Sequence, residues 1–398
     1  MAMKVVMVGP FGLRPRGTMS RRALPLAKEL AARGHQVRVI LPPWDCPEDS
    51  ERVWDEDGVQ VHNVSLPASA PLYKDISIAA RLVAQVLRER PDVVHLFKPK
   101  GYSGLAAAIL WYLRRLGFGE ARLVLDADDW EGPGGWNDRL PYPRYKRRFF
   151  VWQERWGMTH CQALTVASRE LGRLAQDMGV AQDRVFHLPN GVDPSNGHRG
   201  GDFAPRIRSQ WFLDEDPVVL LYTRFFEFRP ERLARVLSRV LGQEPSVHFL
   251  VVGKGLCGEE ESFLSLVGEE GLGRSIVYAG WQEGDDLRGC FAAADIAICP
   301  LEDSLLNRAR CPAKLVDLMA AGLPIVAEKV GEVGLYLEHL SSGYLVPPGD
   351  EGAFVAGIVG LLRDEPLRAA LGTTARQRAQ QQFSWPRLVG VLESAYAR

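Results

Sequence analysis

No sign of charge dominates this sequence. Against 48 Lys and Arg stand 49 Asp and Glu, so no global field draws the chain toward nucleic acid or an anionic membrane, and no nucleic-acid partner is expected. Cys-x-x-Cys pairs are missing. Cys46, Cys161, Cys257, Cys290, Cys299 and Cys311 are scattered, which argues against structural zinc and a disulfide scaffold and fits a reducing cytoplasm. No window approaches about 18 uninterrupted apolar residues, and the start at Lys4 lacks the charged, apolar and small-residue succession of an export signal. The chain is therefore expected to be cytoplasmic and not membrane-spanning. Low-complexity tracts and short-period repeats are also lacking. No strand-like run precedes a G-x-G-x-x-G with an acid about twenty residues later, which leaves a nicotinamide oxidoreductase the least favoured class.

What is present is an ordinary globular balance, 46% hydrophobic and 24% charged residues. The 398 residues exceed one ordinary core, at roughly 150 residues per domain, and two large halves are expected. Apolar runs such as Lys4 to Val8, "DVVHLF", "RLVLDA" and "ALTVAS" alternate with helical stretches (Ser20 to Arg33, Ile76 to Glu89, Ser103 to Leu116, and around Tyr145 to Thr159). That alternation predicts a parallel sheet covered on both faces. A second series opens at "VVLLY" and continues through "HFLVVG", "SIVYAG", "DIAICP" and "PIVAE". Between the series, the Gly- and Pro-rich segment Asn190 to Arg206 carries no apolar period and reads as a connection. The expected organisation is an N-terminal domain over 1–195, a linker over 196–206, a second domain over 207–382, and a C-terminal helix over 383–398 that packs back on the first domain. Both domains are expected to be α/β, Rossmann-like and doubly wound.

Five segments, "LPLAKELAARGHQVRVILP", "VASRELGRLAQDMGVAQDRVFHLPNGVD", "LVVGKG", "CPAKLVDLMAAGLPIVAE" and "GYLVPPGD", resemble glycosyltransferase family 4 in order and spacing. The resemblance implies the GT-B architecture, two Rossmann-like domains facing across a cleft. It also implies transfer of a sugar from a nucleotide diphosphate sugar to a glycan, lipid-linked or small-molecule acceptor, usually with retention at the anomeric carbon. No cofactor or metal is expected. In this family a basic pair grips the diphosphate, and Arg224 and Arg229 of "YTRFFEFRPERL" occupy its place, the second more often being Lys. Fixed guanidinium groups can stabilise a leaving diphosphate without a metal. Gly253 and Gly255 lie where family members place the nucleotide, although a structural turn explains a lone G-x-G as well. Trp281 stands where a base would be read, or simply packs. Pro312 can open a helix that aims its amides at an anion, with Lys314 beside it. Asp317 stands where the family has a ribose-binding Glu. Eight positions earlier Ala309 replaces the family's first motif Glu, a role for which Glu302, Asp303, Asn307 and Arg308 are candidates.

On the acceptor side, Gly17-Thr18 aligns with a Gly-Gly pair near the diphosphate and sugar. Arg14, Arg16, Arg21 and Arg22 could bind phosphate or an anionic acceptor, although a solvated helix start explains Arg21 and Arg22 as well. His95, Lys98 and Lys100 follow a strand and are cleft candidates, with a core role favoured for His95. The acids of "DADDW" raise a metal-site reading, since hard cations take carboxylate oxygens. The resemblance instead places Asp128-Asp129 where relatives have a His-Asp pair, as contacts to a sugar or acceptor. "YPRYKRRFFVWQERWG" mixes basic and aromatic residues that could rest on a bilayer in peripheral contact. Phe149, Trp152 and Trp156 recur at helical spacing, however, which favours core. A GT-B epimerase or hydrolase, and a catalytically impaired nucleotide-sugar-binding partner, are the alternatives to a transferase.

Overall fold

A computed structural model describes residues 2–68, 71–194 and 203–397. These residues form two compact units. The first comprises Met1–Asn190, Ala309–Cys311 and Trp385–Arg398, and the second Gly191–Arg308 and Pro312–Ser384. Most of the expected linker lies outside the described residues. Its last residues do not form an irregular connection, because Pro205 enters the first turn of a helix, Ala204–Gln210, where its missing N–H costs nothing.

The first unit is built on an eight-stranded sheet of order β3-β4-β2-β1-β5-β6-β7-β8. Its strands are β1 (Lys4–Val8), β2 (Gln36–Leu41), β3 (Val53–Glu56), β4 (Val59–Asn63), β5 (Val93–Phe97), β6 (Arg122–Ala127), β7 (Ala163–Val166) and β8 (Val185–His187). All neighbours run parallel except β3 against β4. That hairpin turns at Asp57-Gly58, both with positive φ, a turn signal that strand and helix alternation alone does not carry. Strand order reverses between β1 and β5, so this unit's switch point lies there. The last helix, Trp385–Ala397, belongs to this unit. Trp385, Leu388, Val389, Leu392 and Tyr396 share one core with Val5, Met7, Leu26 and Leu30.

The second unit has six parallel strands in the order β11-β10-β9-β12-β13-β14. They are β9 (Val218–Thr223), β10 (His248–Gly253), β11 (Ile276–Gly280), β12 (Ile296–Cys299), β13 (Ile325–Glu328) and β14 (Tyr344–Val346). The order reverses between β9 and β12. Central strands such as "VVLLYT" are apolar on both faces because helices cover both. Phe249, Phe263 and Phe354 are fully buried in this core, each contributing about 1.5–3 kcal/mol of transfer free energy.

Candidate functional site

In each unit the polar groups collect at the carboxyl ends of the strands nearest the switch point. In the first unit they follow β1, β5 and β6. After β6, Asp128 accepts a hydrogen bond from the Thr18 hydroxyl at 2.8 Å, which joins the Gly17-Thr18 segment to the acid pair. Gly17 is exposed, and a side chain there would meet only the Arg21 stem, so space alone does not demand glycine. Lys98 follows β5 in a left-handed conformation, φ 58°, unusual for a residue with a side chain. Its ammonium lies 2.7 Å from Asp129, 3.4 Å from Asp128 and 3.8 Å from Glu131. A divalent cation bound by these acids would have to sit where Lys98 already is.

Next to it, Lys100 pairs with Glu131 at 2.7 Å beneath the rings of Tyr142 and Phe150. Glu154 accepts the Glu131 backbone N–H at 2.9 and 3.1 Å. Burial, reinforced by Glu131, pushes Glu154 well above the carboxylate range. Burial opposes the Lys98 charge, but Asp128, Asp129 and Glu131 outweigh it and hold the amine well above its ordinary value. For Lys100 burial wins over Glu131 and lowers the amine. Burial also works against Asp129, yet the charge and hydrogen bond of Lys98 pull it below its usual range. Asp128 goes the other way. Burial, with Asp129 and Asp126 adding, raises it to about 6 against the pull of Lys98. Asp128 is thus a carboxyl that takes and releases a proton near neutrality, suited to a hydroxyl. The loop carrying these acids is fixed by Trp130, whose indole lies so close that a Cβ on Gly132 would stand 2.1 Å from it.

For His95 the structure agrees with the favoured core role, and for Arg22 it changes the expectation. His95 is fully buried, with its ring nitrogens 2.9 Å from the Tyr396 hydroxyl and 3.3 Å from that of Thr165. Burial pushes it down to about 4. It is a neutral core group, not one that meets an acceptor. Nor is Arg22 a solvated helix start, because it is buried and grips Asp126 through two 2.8 Å bonds. Arg16 is exposed and is held by Asp45 at 3.1 Å and by the Trp44 ring.

In the second unit the cations lead. Arg224 follows β9, and its side chain donates to the Lys254 carbonyl at 2.8 Å, with the guanidinium 5.5 Å from the Trp281 ring. Arg229 is exposed and reaches Glu302 at 3.2 Å. Glu227 organises the turn between them. This buried carboxylate accepts from the Thr223 hydroxyl at 2.9 Å and from the Arg224 amide at 3.0 Å. It also pairs with Lys314 at 3.2 Å. Phe225, at φ 64°, is held in the left-handed region by this hub. Glu302 also meets Arg232 at 3.4 Å, and Arg232 clasps the buried Glu328 at 2.7 and 2.6 Å. Asp303 pairs with Arg308 at 3.0 Å. Asn307 donates to the carbonyls of Glu227 and Glu302 at 2.8 and 2.9 Å, which makes it a strut of this loop.

Lys314 and Asp317 lie one turn apart on the helix Ala313–Ala321, which Pro312 precedes as cap; Asp317 is half-buried. Gly253 has φ +133°, and a Cβ there would stand 1.8 Å from the Thr223 carbonyl, so the close approach of β9 and β10 requires glycine. The amides of Gly255, Leu256 and Cys257 donate to Glu260 and Glu259 at 3.0, 2.8 and 2.6 Å. This nest is filled by the chain's own carboxylates, which favours the turn reading of the G-x-G. Trp281 is half exposed, with its indole N–H on Glu283 at 2.8 Å. Ala309 is fully buried, a methyl where the resemblance implies a carboxylate.

Several members of these clusters were given no role by the sequence: Glu131, Glu154, Glu227, Arg232 and Glu328. For Glu227 and Glu328 a signal exists, an ionisable residue inside an otherwise apolar or aromatic run, "FFEF" and "PIVAE". Such a group is buried only with partners.

Comparison with known proteins accounts for this division. Residues 17–191 match the family model described as glycosyl transferase 4-like domain, and residues 216–364 the one described as glycosyl transferases group 1. Phosphatidyl-myo-inositol mannosyltransferase of Mycobacterium leprae is 25% identical over 394 residues, 96% of this chain and 93% of the relative. Sulfoquinovosyl transferase SQD2 of Arabidopsis thaliana is 24% identical over 78% of this chain, which spans only 57% of that longer relative. Among solved structures, that of HepE from Anabaena in complex with UDP-glucose superposes with a TM-score of 0.72 at 20% identity, over 100% of both chains. With both halves matched by family models and the two parallel sheets shared with a solved relative, the chain belongs to glycosyltransferase family 4 and is a glycosyltransferase of the GT-B fold.

Proposed function

We propose that the chain transfers a sugar from a nucleotide diphosphate sugar to a hydroxyl-bearing acceptor, with retention at the anomeric carbon and without a metal ion. The observation that carries this reading is the basic constellation of the second unit. Arg224, Arg229 and Lys314 stand at the ends of neighbouring elements and are held there, Arg224 by the Lys254 carbonyl, Arg229 by Glu302 and Lys314 by the buried Glu227. As a glycosidic bond to a diphosphate breaks, negative charge gathers on the leaving phosphate. Guanidinium groups fixed beforehand stabilise that charge at no cost in reorganisation. Asp317 is assigned to the ribose hydroxyls and Trp281 to the base. In the first unit, Asp128 and Asp129, steadied by Thr18 and Lys98, are assigned to sugar or acceptor hydroxyls. The UDP-glucose bound to HepE supports a nucleotide-sugar donor, and a relative named for phosphatidyl-myo-inositol supports a lipid-linked acceptor. A glycan or a small molecule is the other acceptor class.

The test is to incubate the chain with UDP-, GDP- and ADP-sugars and an acceptor panel, with and without EDTA. Released nucleotide is quantified and the product's anomeric configuration read by NMR. Acceptor-dependent release with retained configuration in EDTA is expected. Loss of release in EDTA that manganese restores would overturn the metal-free mechanism, and release without any acceptor product would point to hydrolysis or epimerisation.

A further inference from the structure

The edge of the second unit's sheet carries a groove that the transfer reading does not use. It opens where β13 and β14 end, beside a bond from the Lys329 amide to the Val346 carbonyl at 2.9 Å. The short helix Val333–Tyr336 and the turn after it supply the other wall of a cavity of about 590 Å³, the size of a small-molecule site. Buried Leu337 and Val346 line it together with exposed Pro347 and Pro348, so the wall is largely apolar and open to solvent. Two donors reach this cavity. The Lys329 stem runs along Gly334, where a Cβ would stand 3.1 Å from its Cε, and among the described residues its ammonium has no ion pair or hydrogen bond. His339 accepts the Leu345 amide at Nδ1, 3.1 Å away. An imidazole that accepts at Nδ1 carries its proton on Nε2, and among the described residues that N–H has no acceptor either. Glu338 is the carboxylate of the lining, and Arg378 neutralises it at 2.7 Å.

The turn that carries His339 is strained and pinned. Leu340 is left-handed, at φ 58°, a costly conformation for a bulky side chain. It is kept by bonds from the Leu340 amide to the Gly343 carbonyl at 2.8 Å and from the Ser342 amide to the Glu338 carbonyl at 3.0 Å. Strain of this kind gathers at ligand clamps. The donor set also names the ligand. The amides of Lys329, Leu337, Glu338 and Leu345 are already bonded to the Val346 and Val333 carbonyls, the Ser342 hydroxyl and His339, and prolines have no N–H to offer. A phosphate monoester brings three terminal oxygens and strong acceptor demand, a carboxylate only two oxygens. One ammonium and one imidazole N–H match the carboxylate, and the leucine, valine and proline wall matches an apolar body.

From this geometry we infer that the groove is an effector site for a small carboxylate with an apolar body, held by Lys329 and His339. Both sides of the groove are tied to Glu328. Lys329 follows it in the chain, and Gly349, after the two prolines, donates its amide to Glu328 at 2.7 Å. The same carboxylate accepts the Leu301 amide at 2.7 Å and clasps Arg232, which meets Glu302, the partner of Arg229. An occupant that fixes Lys329 and the proline loop thereby steadies the Glu328 clasp. The last link, from Arg229 to turnover, rests on the function proposed above, whereas binding and its effect on Glu328 do not.

Calorimetry of the full chain with phenylbutyrate tests this, against phenylbutanol, which has the same body without the charge, and phenyl phosphate. Phenylbutyrate should bind with a Kd on the order of 1 mM and the other two more weakly. Lys329→Gln, at an exposed position, should weaken binding about tenfold with basal transfer unchanged. His339→Asn keeps an oxygen for the Leu345 amide but loses the Nε2 donor, and a loss of about threefold is expected. Arg224→Ala should leave binding as it is. Hydrogen exchange, read by mass spectrometry in peptides that span Leu301 and Gly349, should slow about threefold or more at saturation. Equal binding of phenylbutanol, preference for phenyl phosphate, undiminished binding by both folded groove variants, or loss of binding in Arg224→Ala would overturn the site. Unchanged exchange at saturation would overturn its role as an effector site. A chain that binds phenylbutyrate in this way but releases no nucleotide from any sugar donor would sink the proposed transfer and leave the groove standing.

Discussion

The two polar clusters are opposites in sign and construction. In the first unit four carboxyl groups, Asp128, Asp129, Glu131 and Glu154, surround two lysines, and the lysines are consumed in neutralising them. In the second unit Glu227, Glu302 and Glu328 are the supporting groups, and the arginines and Lys314 are what they present. Burial explains the contrast. A dry carboxylate needs a cation or a proton, so the first unit has spent its cations, and Glu154, without one of its own, is pushed well above the carboxylate range. The second unit leaves Arg229 in water, where it keeps full charge for an incoming anion. On that contrast rests the proposed division of the two clusters between hydroxyls and a diphosphate.

The largest expected effect falls on the cations. Arg224→Ala should cut turnover about 10²–10³-fold, as removal of a transition-state charge partner does elsewhere, and Arg229→Ala should act in the same direction. Steady-state kinetics with saturating acceptor reads this, and full activity in both variants would remove the diphosphate from this place. Glu227→Gln comes next. It keeps the hydrogen bonds to Thr223 and the Arg224 amide but releases Lys314, so a loss of about tenfold or more in kcat is expected, with stability lower by about 1–3 kcal/mol. Glu131→Gln supplies the contrast. It frees Lys100, and a comparable fall in stability is expected with unchanged affinity for nucleotide, measured by calorimetry.

The two units were unequally legible. Strand and helix alternation, the parallel sheets and the second-unit basic residues follow from apolar periodicity and from motifs with fixed spacing. The short central strands show as uninterrupted apolar runs, whereas β3, β4, β8 and β14 interleave or flank polar residues, as in "VWDE", "VQVHN" and "VFH", and are too short for a period to show. Side-chain fate was the less readable part. Arg22 reads as a helix-start cation, yet it is buried, because Asp126, distant in sequence, supplies its partner; His95, where the core reading is favoured, finds an equally distant partner in Tyr396. The stripe of Phe149 and Trp152 misled in the other direction, since the two are 40% and 49% exposed. Period alone says that residues share a face, not that the face is inward.

The smallest and most discriminating effect concerns Asp128. Its carboxyl is raised to about 6 in the folded chain, above the ordinary carboxylate value of 3.8 that applies once the chain unfolds. Between about pH 4 and 6 the folded state therefore binds more protons than the unfolded one, and stability falls as pH climbs through that window. Asp128→Asn removes this penalty. The variant should be more stable than the parent at pH 8, on the order of 1–3 kcal/mol, and the advantage should vanish toward pH 4. His95 has the opposite sign. Its pKa, pushed down to about 4, makes the chain lose stability as pH falls below about 6.5. It is common to both proteins, so the difference between their melting curves isolates Asp128. If the same substitution lowers turnover about tenfold while raising stability at pH 8, the carboxylate is kept charged at a cost to folding for the sake of a bound hydroxyl. Gain in stability with unchanged turnover would instead reduce the acid cluster to a counter-charge for Lys98, and the second unit alone would carry the chemistry.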